Sequence, residues 1–247
     1  MKAWKANLAS IILPCYNEKK NVIRLASRIN EILKANDFEI LIVVDNSPDN
    51  TYFALRKLDI PNVIPILRTE DKGLANSIRT WIEKAKGKSV FIMNSDFNHN
   101  PEYIPFLFEN LKFYDCVSAS RFLYGGIMDS RMRHLLSWVL NVFELRLADK
   151  LPTTSTVILQ FQKMLSENVP TEQILWGFGD YYIRLLFYLQ QLRCKILQFP
   201  AINETRLYEK GNSAFLKIFR TYLIAVFKLI MSRDLSKKQI PLDSKEN

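Results

Sequence analysis

Cysteine is scarce in this chain: 247 residues hold three, Cys15, Cys116 and Cys194, odd in number and far apart. That spacing excludes a zinc ribbon and a disulfide framework and fits a reducing compartment, with the three read as small buried hydrophobes. No run of about 18 apolar residues occurs, so no segment is expected to span a bilayer alone. The apolar stretch "LASIILP" near the N-terminus ends at a proline and is too short for a signal-peptide core. The expected location is therefore the cytoplasm, peripheral at a membrane. No nucleic-acid recognition module or aromatic-basic RNA motif is found, so no nucleic acid is expected as a partner.

What is there is a chain 48% apolar, long enough to bury a sizeable core. Residues 1–213 are expected to form one domain, 214–235 an amphipathic helix, and 236–247 a polar, disordered tail. The formal net charge of +9, concentrated in the second half, points to anionic partners such as phosphates or acidic lipid head groups.

The first 120 residues alternate between two hydrophobic periods. "LASIILP", "FEILIVV", "NVIPIL" and "KSVFIM" read as strands, and "NVIRLASRINEILK", "TYFALRKL" and "GLANSIRTWIEKAKG" as helices, the last closed by Gly87. Such alternation predicts an α/β fold with a mostly parallel sheet and helices on both faces. Ligands of such sheets bind beyond the carboxyl ends of the strands. Polar clusters stand at four of those ends: "PCYNE", "DNSPDNT", "RTEDKG" and "NSDFNHNPE". Singly, each reads as a turn, since Asn, Asp, Pro and Ser are turn formers.

Together, in this order, they resemble family 2 glycosyltransferases of the GT-A fold, most of all the dolichyl-phosphate mannose synthase or polyprenyl-phosphate glycosyltransferase group. The resemblance runs from about Ser10 to about Phe215. It implies that Pro14, Tyr16 and Glu18 of "IILPCYNEKKNV" and Asp45 of "IVVDNSPDNT" contact the nucleotide, with Val44 where the family has a further acid. "RTEDKGLANSIRTWIEKAKG" matches the segment from Arg to Gly-Leu-Gly, with Ala75 for the last Gly, and places Lys72 at the donor. "MNSDFNHNPEYIP" stands where the family has Asp-x-Asp, its first acid replaced by Asn94.

By that resemblance Asp96 is the catalytic and diphosphate contact, and Asp96 with Asn98 holds Mg²⁺ or Mn²⁺. The chemistry asks for such a group, because a departing diphosphate gathers negative charge that a divalent ion bridging phosphate and carboxylate stabilises. One Asp and one amide oxygen suffice for a hard ion that takes other ligands from water and phosphate. With Asn94 uncharged, weaker metal binding is expected.

Further along, "VSASRF" and "YGGIMDSRMRHLLSWVLNVF" resemble the family's phosphate and acceptor segments. They bring Arg121 and Arg131 to the phosphates, though solvated surface arginines fit the same pattern. The helix they lead into is either interfacial or packed on the sheet. "LPTTSTVILQ" keeps only Thr154 and Ser155 of the family's acceptor motif. In "WGFGDYYIRLLFYLQQLRCKILQFPAINETRLYEKGNSAF" the pattern returns as a helix and a strand ending at Pro200. Arg206 and Ser213 then fit a loop closing over the donor. Asp180 is either a general base for a hydroxyl acceptor or a helix N-cap.

The implied partners are a nucleotide-diphosphate sugar and a polyprenyl phosphate or glycan acceptor, with peripheral membrane contact and an oligomer or membrane protein as further partners. The implied reaction is inverting, metal-dependent hexose transfer to a polyprenyl phosphate at the cytosolic membrane face. Transfer to a saccharide hydroxyl in surface-polysaccharide synthesis, or a catalytically impaired nucleotide-sugar-binding protein, are the alternatives.

Overall fold

The computed structural model describes residues 5–70, 73–120, 123, 124, 127, 128, 156–162, 171–177, 179–203 and 224. In chain order the elements are β1 (Lys5–Cys15), α1 (Lys19–Ile32), β2 (Phe38–Val44), α2 (Thr51–Leu58), β3 (Val63–Leu67), α3 (Leu74–Lys84) and β4 (Gly87–Ile92). A single 3-10 turn (Pro101–Tyr103) leads into α4 (Ile104–Asn110), followed by β5 (Cys116–Ser120), β6 (Ile127–Met128) and β7 (Thr156–Gln162). The described part closes with α5 (Thr171–Ile174), α6 (Tyr181–Gln191), β8 (Ile196–Pro200) and β9 (Ile202–Asn203).

Seven strands form one sheet in the order β3-β2-β1-β4-β7-β5-β8, and β6 pairs with β9 apart from it. The first four strands run parallel, as their alternation with helices predicts. β7 runs antiparallel between β4 and β5. It begins inside "LPTTSTVILQ", a segment in which no strand is expected from the sequence. The order reverses beside β1: the chain steps outward to β2 and β3, then returns to the other flank as β4. A switch point of this kind opens a crevice between the carboxyl ends of β1 and β4.

Periodicity explains both layers. On α1 the buried residues Val22, Leu25, Ala26 and Ile29 recur at helical spacing, and with Leu55 of α2 and Ile104 and Leu107 of α4 they cover Ile11, Leu13, Ile40 and Ile42. On the other face Ala75, Ile78 and Trp81 of α3 and Leu185, Leu186 and Leu189 of α6 cover Ile12, Leu41, Val43 and Val90. β2 is buried at every position, as a central strand covered twice must be. Pro65 sits in β3, the edge strand, where a missing amide donor costs little.

Gly87 does not close α3 as expected. The helix ends at Lys84, and Gly87 opens β4 against β1. A Cβ there would lie 2.6 Å from the Leu8 carbonyl oxygen and 2.7 Å from the Ser10 amide nitrogen, so only glycine fits. The region of the expected helix 214–235 and the tail 236–247 fall outside the described residues, apart from the helical Ile224. No helix among the described residues is long and apolar enough to cross a membrane.

Candidate active site

The four polar turns expected at strand ends lie along the carboxyl edge of the sheet, and side chains tie them to one another. Three of them bend through non-glycine residues in the left-handed region: Asn17 after β1, Asn46 and Asn50 after β2, and Phe97 after β4. Asparagine tolerates that conformation, whereas phenylalanine is strained there, a cost more often found where geometry serves function.

The β1 and β2 turns are joined by Ser47, which accepts from the Asn17 amide at 3.0 Å, and by Asp49. One oxygen of Asp49 accepts from the Lys19 amide at the start of α1 at 2.9 Å, and the other from the Thr51 amide at the start of α2 at 3.1 Å. A single carboxylate thus meets the positive ends of two helices. Pro14 and Glu18 are half-buried beside it, while Tyr16 is 61% exposed and turns its ring outward. Glu18 accepts from the Asn21 amide group at 2.5 Å.

Asp45, buried at the end of β2, binds the β3 turn. It accepts from the Gly73 amide at 2.9 Å, pairs with Arg68 Nε at 3.4 Å, and shares Ser77 with that arginine, whose Nη1 donates to Ser77 Oγ at 2.9 Å. As described, Asp45 positions the turn that precedes α3. Val44, where the resembled family has a further acid, is wholly buried in the layer under α1 and α2.

The β4 turn is the tightest. Asp96 is buried and folds the chain back on itself, its Oδ1 accepting from the Asn98 amide at 3.1 Å and its Oδ2 from Asn98 Nδ2 at 2.8 Å. His99 accepts from the Asn94 amide through Nδ1 at 2.9 Å, a role open only to an imidazole without a proton on that nitrogen. Asn100 caps the following 3-10 turn by accepting from the Glu102 amide at 2.9 Å. Cys15 reaches this turn from β1: burial pushes its thiol up to about 12, partly offset by a hydrogen bond with Ser95.

The expected pair of metal ligands, Asp96 and Asn98, is therefore altered. Asn98 turns its nitrogen, not its oxygen, to Asp96, so the two side chains stand as donor and acceptor of one bond. Among the described residues no group of three or more His, Cys, Asp or Glu is placed to hold a metal. A lone buried carboxylate at a strand end fits an ion that takes most of its oxygens from a diphosphate and from water, which is the habit of Mg²⁺. Asn94 stands half-buried beside it and adds no charge.

Asp180 takes the N-cap position of α6 without the usual cap bond. Its fully buried carboxylate pairs instead with Arg184 Nη1 at 2.5 Å. A general base needs a carboxylate open to the acceptor, and this one is committed to a cation one turn along the helix. Arg184 and Asp49 carried no motif in the sequence. Their only signals were i, i+4 spacing of opposite charges and an acid two residues before a helix-opening Thr. Lys72, Arg121, Arg131, Arg206 and Ser213 lie outside the described residues.

Residues 10–169 match the family described as Glycosyl transferase family 2. Over 123 residues the chain is 35% identical to a dolichol-phosphate mannosyltransferase of Pyrococcus furiosus, covering 49% of this chain and 35% of that protein. It is 32% identical over 125 residues to a dolichol-phosphate mannosyltransferase of Saccharomyces cerevisiae, covering 49% and 47%. It is 30% identical over 148 residues to an undecaprenyl-phosphate 4-deoxy-4-formamido-L-arabinose transferase of Pseudomonas fluorescens, covering 58% and 42%. The matched segment spans less than half the length of each of these relatives. Glucosyl-3-phosphoglycerate synthase from Mycobacterium tuberculosis, solved with Mn²⁺, UDP-glucose and phosphoglyceric acid, superposes with a TM-score of 0.69 at 15% identity, covering 91% of this chain and 80% of that one. That likeness shows a common fold, and the expected GT-A architecture is borne out.

Proposed function

This chain belongs to glycosyl transferase family 2, and from that premise we propose that it transfers a hexose from a nucleotide-diphosphate sugar to a polyprenyl phosphate, with inversion at the anomeric carbon. The observation that carries the reading is the buried Asp96 turn at the switch point, inside the family match over residues 10–169, in a chain similar to transferases named for dolichol-phosphate and undecaprenyl-phosphate. An acceptor phosphate oxygen bonds to the anomeric carbon as the bond to the diphosphate breaks, and the electron pair leaves with the nucleoside diphosphate.

In this reading Pro14, Tyr16, Glu18, Asp45, Lys72 and Asn94 line the donor. Asp96 faces the diphosphate and, with Asn98 after rotation of its amide, holds Mg²⁺ or Mn²⁺. Bound there, the ion supplies positive charge that eases departure of the diphosphate. Arg121, Arg131, Arg206 and Ser213 donate hydrogen bonds to the phosphates of leaving group and acceptor. A phosphate acceptor is already anionic and needs cations, not a base. The commitment of Asp180 to Arg184 supports that acceptor over a sugar hydroxyl. The work is then positioning and charge stabilisation, at the cytosolic face of a membrane.

The test is a panel of nucleotide sugars with Mn²⁺, offered polyprenyl phosphate or oligosaccharides. Product on the lipid phosphate alone is the expected outcome. Transfer to oligosaccharides with none to the lipid would overturn the acceptor assignment, and binding without any turnover would overturn the catalytic one.

A further inference from the structure

Arg184, in the first turn of α6 and only 3% exposed, ties down Ile174, Trp176 and Asp180. Its Nε donates to the Ile174 carbonyl at 2.8 Å, its Nη1 to Asp180, and its Nη2 to the Trp176 carbonyl. Its Cζ lies 3.9 Å from the centroid of the Trp176 ring. Gly177 turns the chain at φ +81, where a Cβ would stand 3.0 Å and 3.2 Å from the Asp180 carboxylate oxygens. A buried charge pair, a left-handed glycine and two anchored backbone carbonyls converge on one side chain. That side chain, Trp176, is still 38% exposed.

Register places this segment. The Tyr182 hydroxyl, one residue into α6, lies 3.2 Å from Ser118 Oγ of β5. Ser118 aligns with Leu159, Leu159 with Ile92, and Ile92 with Ile12. That row closes β4 and lies three residues before the end of β1 at Cys15, and Tyr182, at the start of α6, meets it on the face covered by α3. Arg184 holds Trp176 to the start of α6, so its ring lies toward that end of the sheet, on the β5 side.

We infer that Trp176 is the stacking face for the transferred hexose, and that Arg184, Asp180 and Gly177 are positioning residues that hold its ring. The inference rests on the donor reading above. A pyranose presents a flat face of C–H groups, and an indole held rigid by a guanidinium on its other side receives that face without loss of rotamer freedom on binding. Such a contact serves the sugar and not the nucleotide. Trp176 is then a specificity-determining residue for the donor.

The experiment is calorimetric titration of the full chain with UDP-glucose and GDP-mannose against UDP and GDP, all with Mn²⁺. Trp176→Ala is expected to weaken the better-bound nucleotide sugar roughly tenfold while leaving the matching diphosphate unchanged, and Trp176→Phe to recover most of the loss. Arg184→Lys, which keeps the charge beside Asp180, is expected to weaken the sugar nucleotide selectively and to add nothing further once Trp176 is Ala. Equal weakening of sugar nucleotide and diphosphate, no weakening, or an additive Arg184→Lys effect would overturn the inference alone. If wild type bound neither kind of ligand, the transferase reading would fall first and take this inference with it.

Discussion

At the scale of single residues, burial and charge set behaviour that chemistry can read out. Burial holds the Cys15 thiol at about 12 and the half-buried Cys194 thiol at about 11, above the ordinary value of 9.0, and pushes Cys116 up as well. At pH 8 these groups are thiols, so iodoacetamide should label Cys15 and Cys116 only when the protein unfolds, which mass spectrometry after a urea pulse can score. A raised folded value binds the proton more tightly in the native state. The stability it contributes is fully present below pH 9 and drains away as pH rises from there through the folded values. Melting temperature should accordingly fall above pH 9, and less steeply in Cys15→Ala. Asp49 offers a second reading at this scale. Removing the acceptor of two helix-opening amides in Asp49→Ala should cost roughly 1–2 kcal/mol in urea denaturation, and Asp49→Asn less. An unchanged midpoint for Asp49→Ala would mean that water replaces both bonds.

At the scale of elements, the alternating half of the chain was legible because each strand and helix there states its own period. "FEILIVV" has no polar face to misplace, and α1 repeats Val22, Leu25, Ala26 and Ile29 at the spacing of one buried stripe. β7 was not legible, since what makes "TVILQFQ" a strand is its pairing with β4 and β5, both distant in sequence. Gly87 misled for a related reason: a glycine after a helical pattern reads as a C-cap, while its actual constraint is a backbone 77 residues away, where its amide donates to Ser10 Oγ at 2.9 Å. Gly87→Ala should therefore destabilise by about 1–3 kcal/mol through overpacking, beyond what a helix-capping role would cost, as differential scanning calorimetry can show. Asp180 was seen as a site residue, but its partner one helical turn on was not. Breaking that pair in Arg184→Met should cost about 3–5 kcal/mol, because an uncompensated carboxylate remains buried.

At the scale of the whole molecule, the sheet separates two tasks. Its amino edge is a structural tie, where Glu39 accepts from Ser10 Oγ at 2.6 Å and from the Lys86 amide at 2.6 Å. Its carboxyl edge carries the polar turns, those of β1 and β4 flanking the switch point. The turns were legible as a series although none was legible alone, because only topology shows that β1 and β4 are neighbours. What the sequence did not disclose is how far those polar side chains bind one another: Asp45 to Gly73 and Arg68, Asn98 to Asp96, Asp180 to Arg184. Among the described residues, Asp96 is the buried carboxylate following β4, where the proposed transfer would have a diphosphate's charge met. The direct test is steady-state transfer from a nucleotide sugar to polyprenyl phosphate with Mn²⁺, for wild type and Asp96→Ala, with the melting temperature of each recorded. The account predicts a loss of about 100-fold or more in kcat/KM for a folded variant, and a comparable loss when EDTA is added to wild type. A folded Asp96→Ala variant that kept full metal-dependent turnover would contradict it.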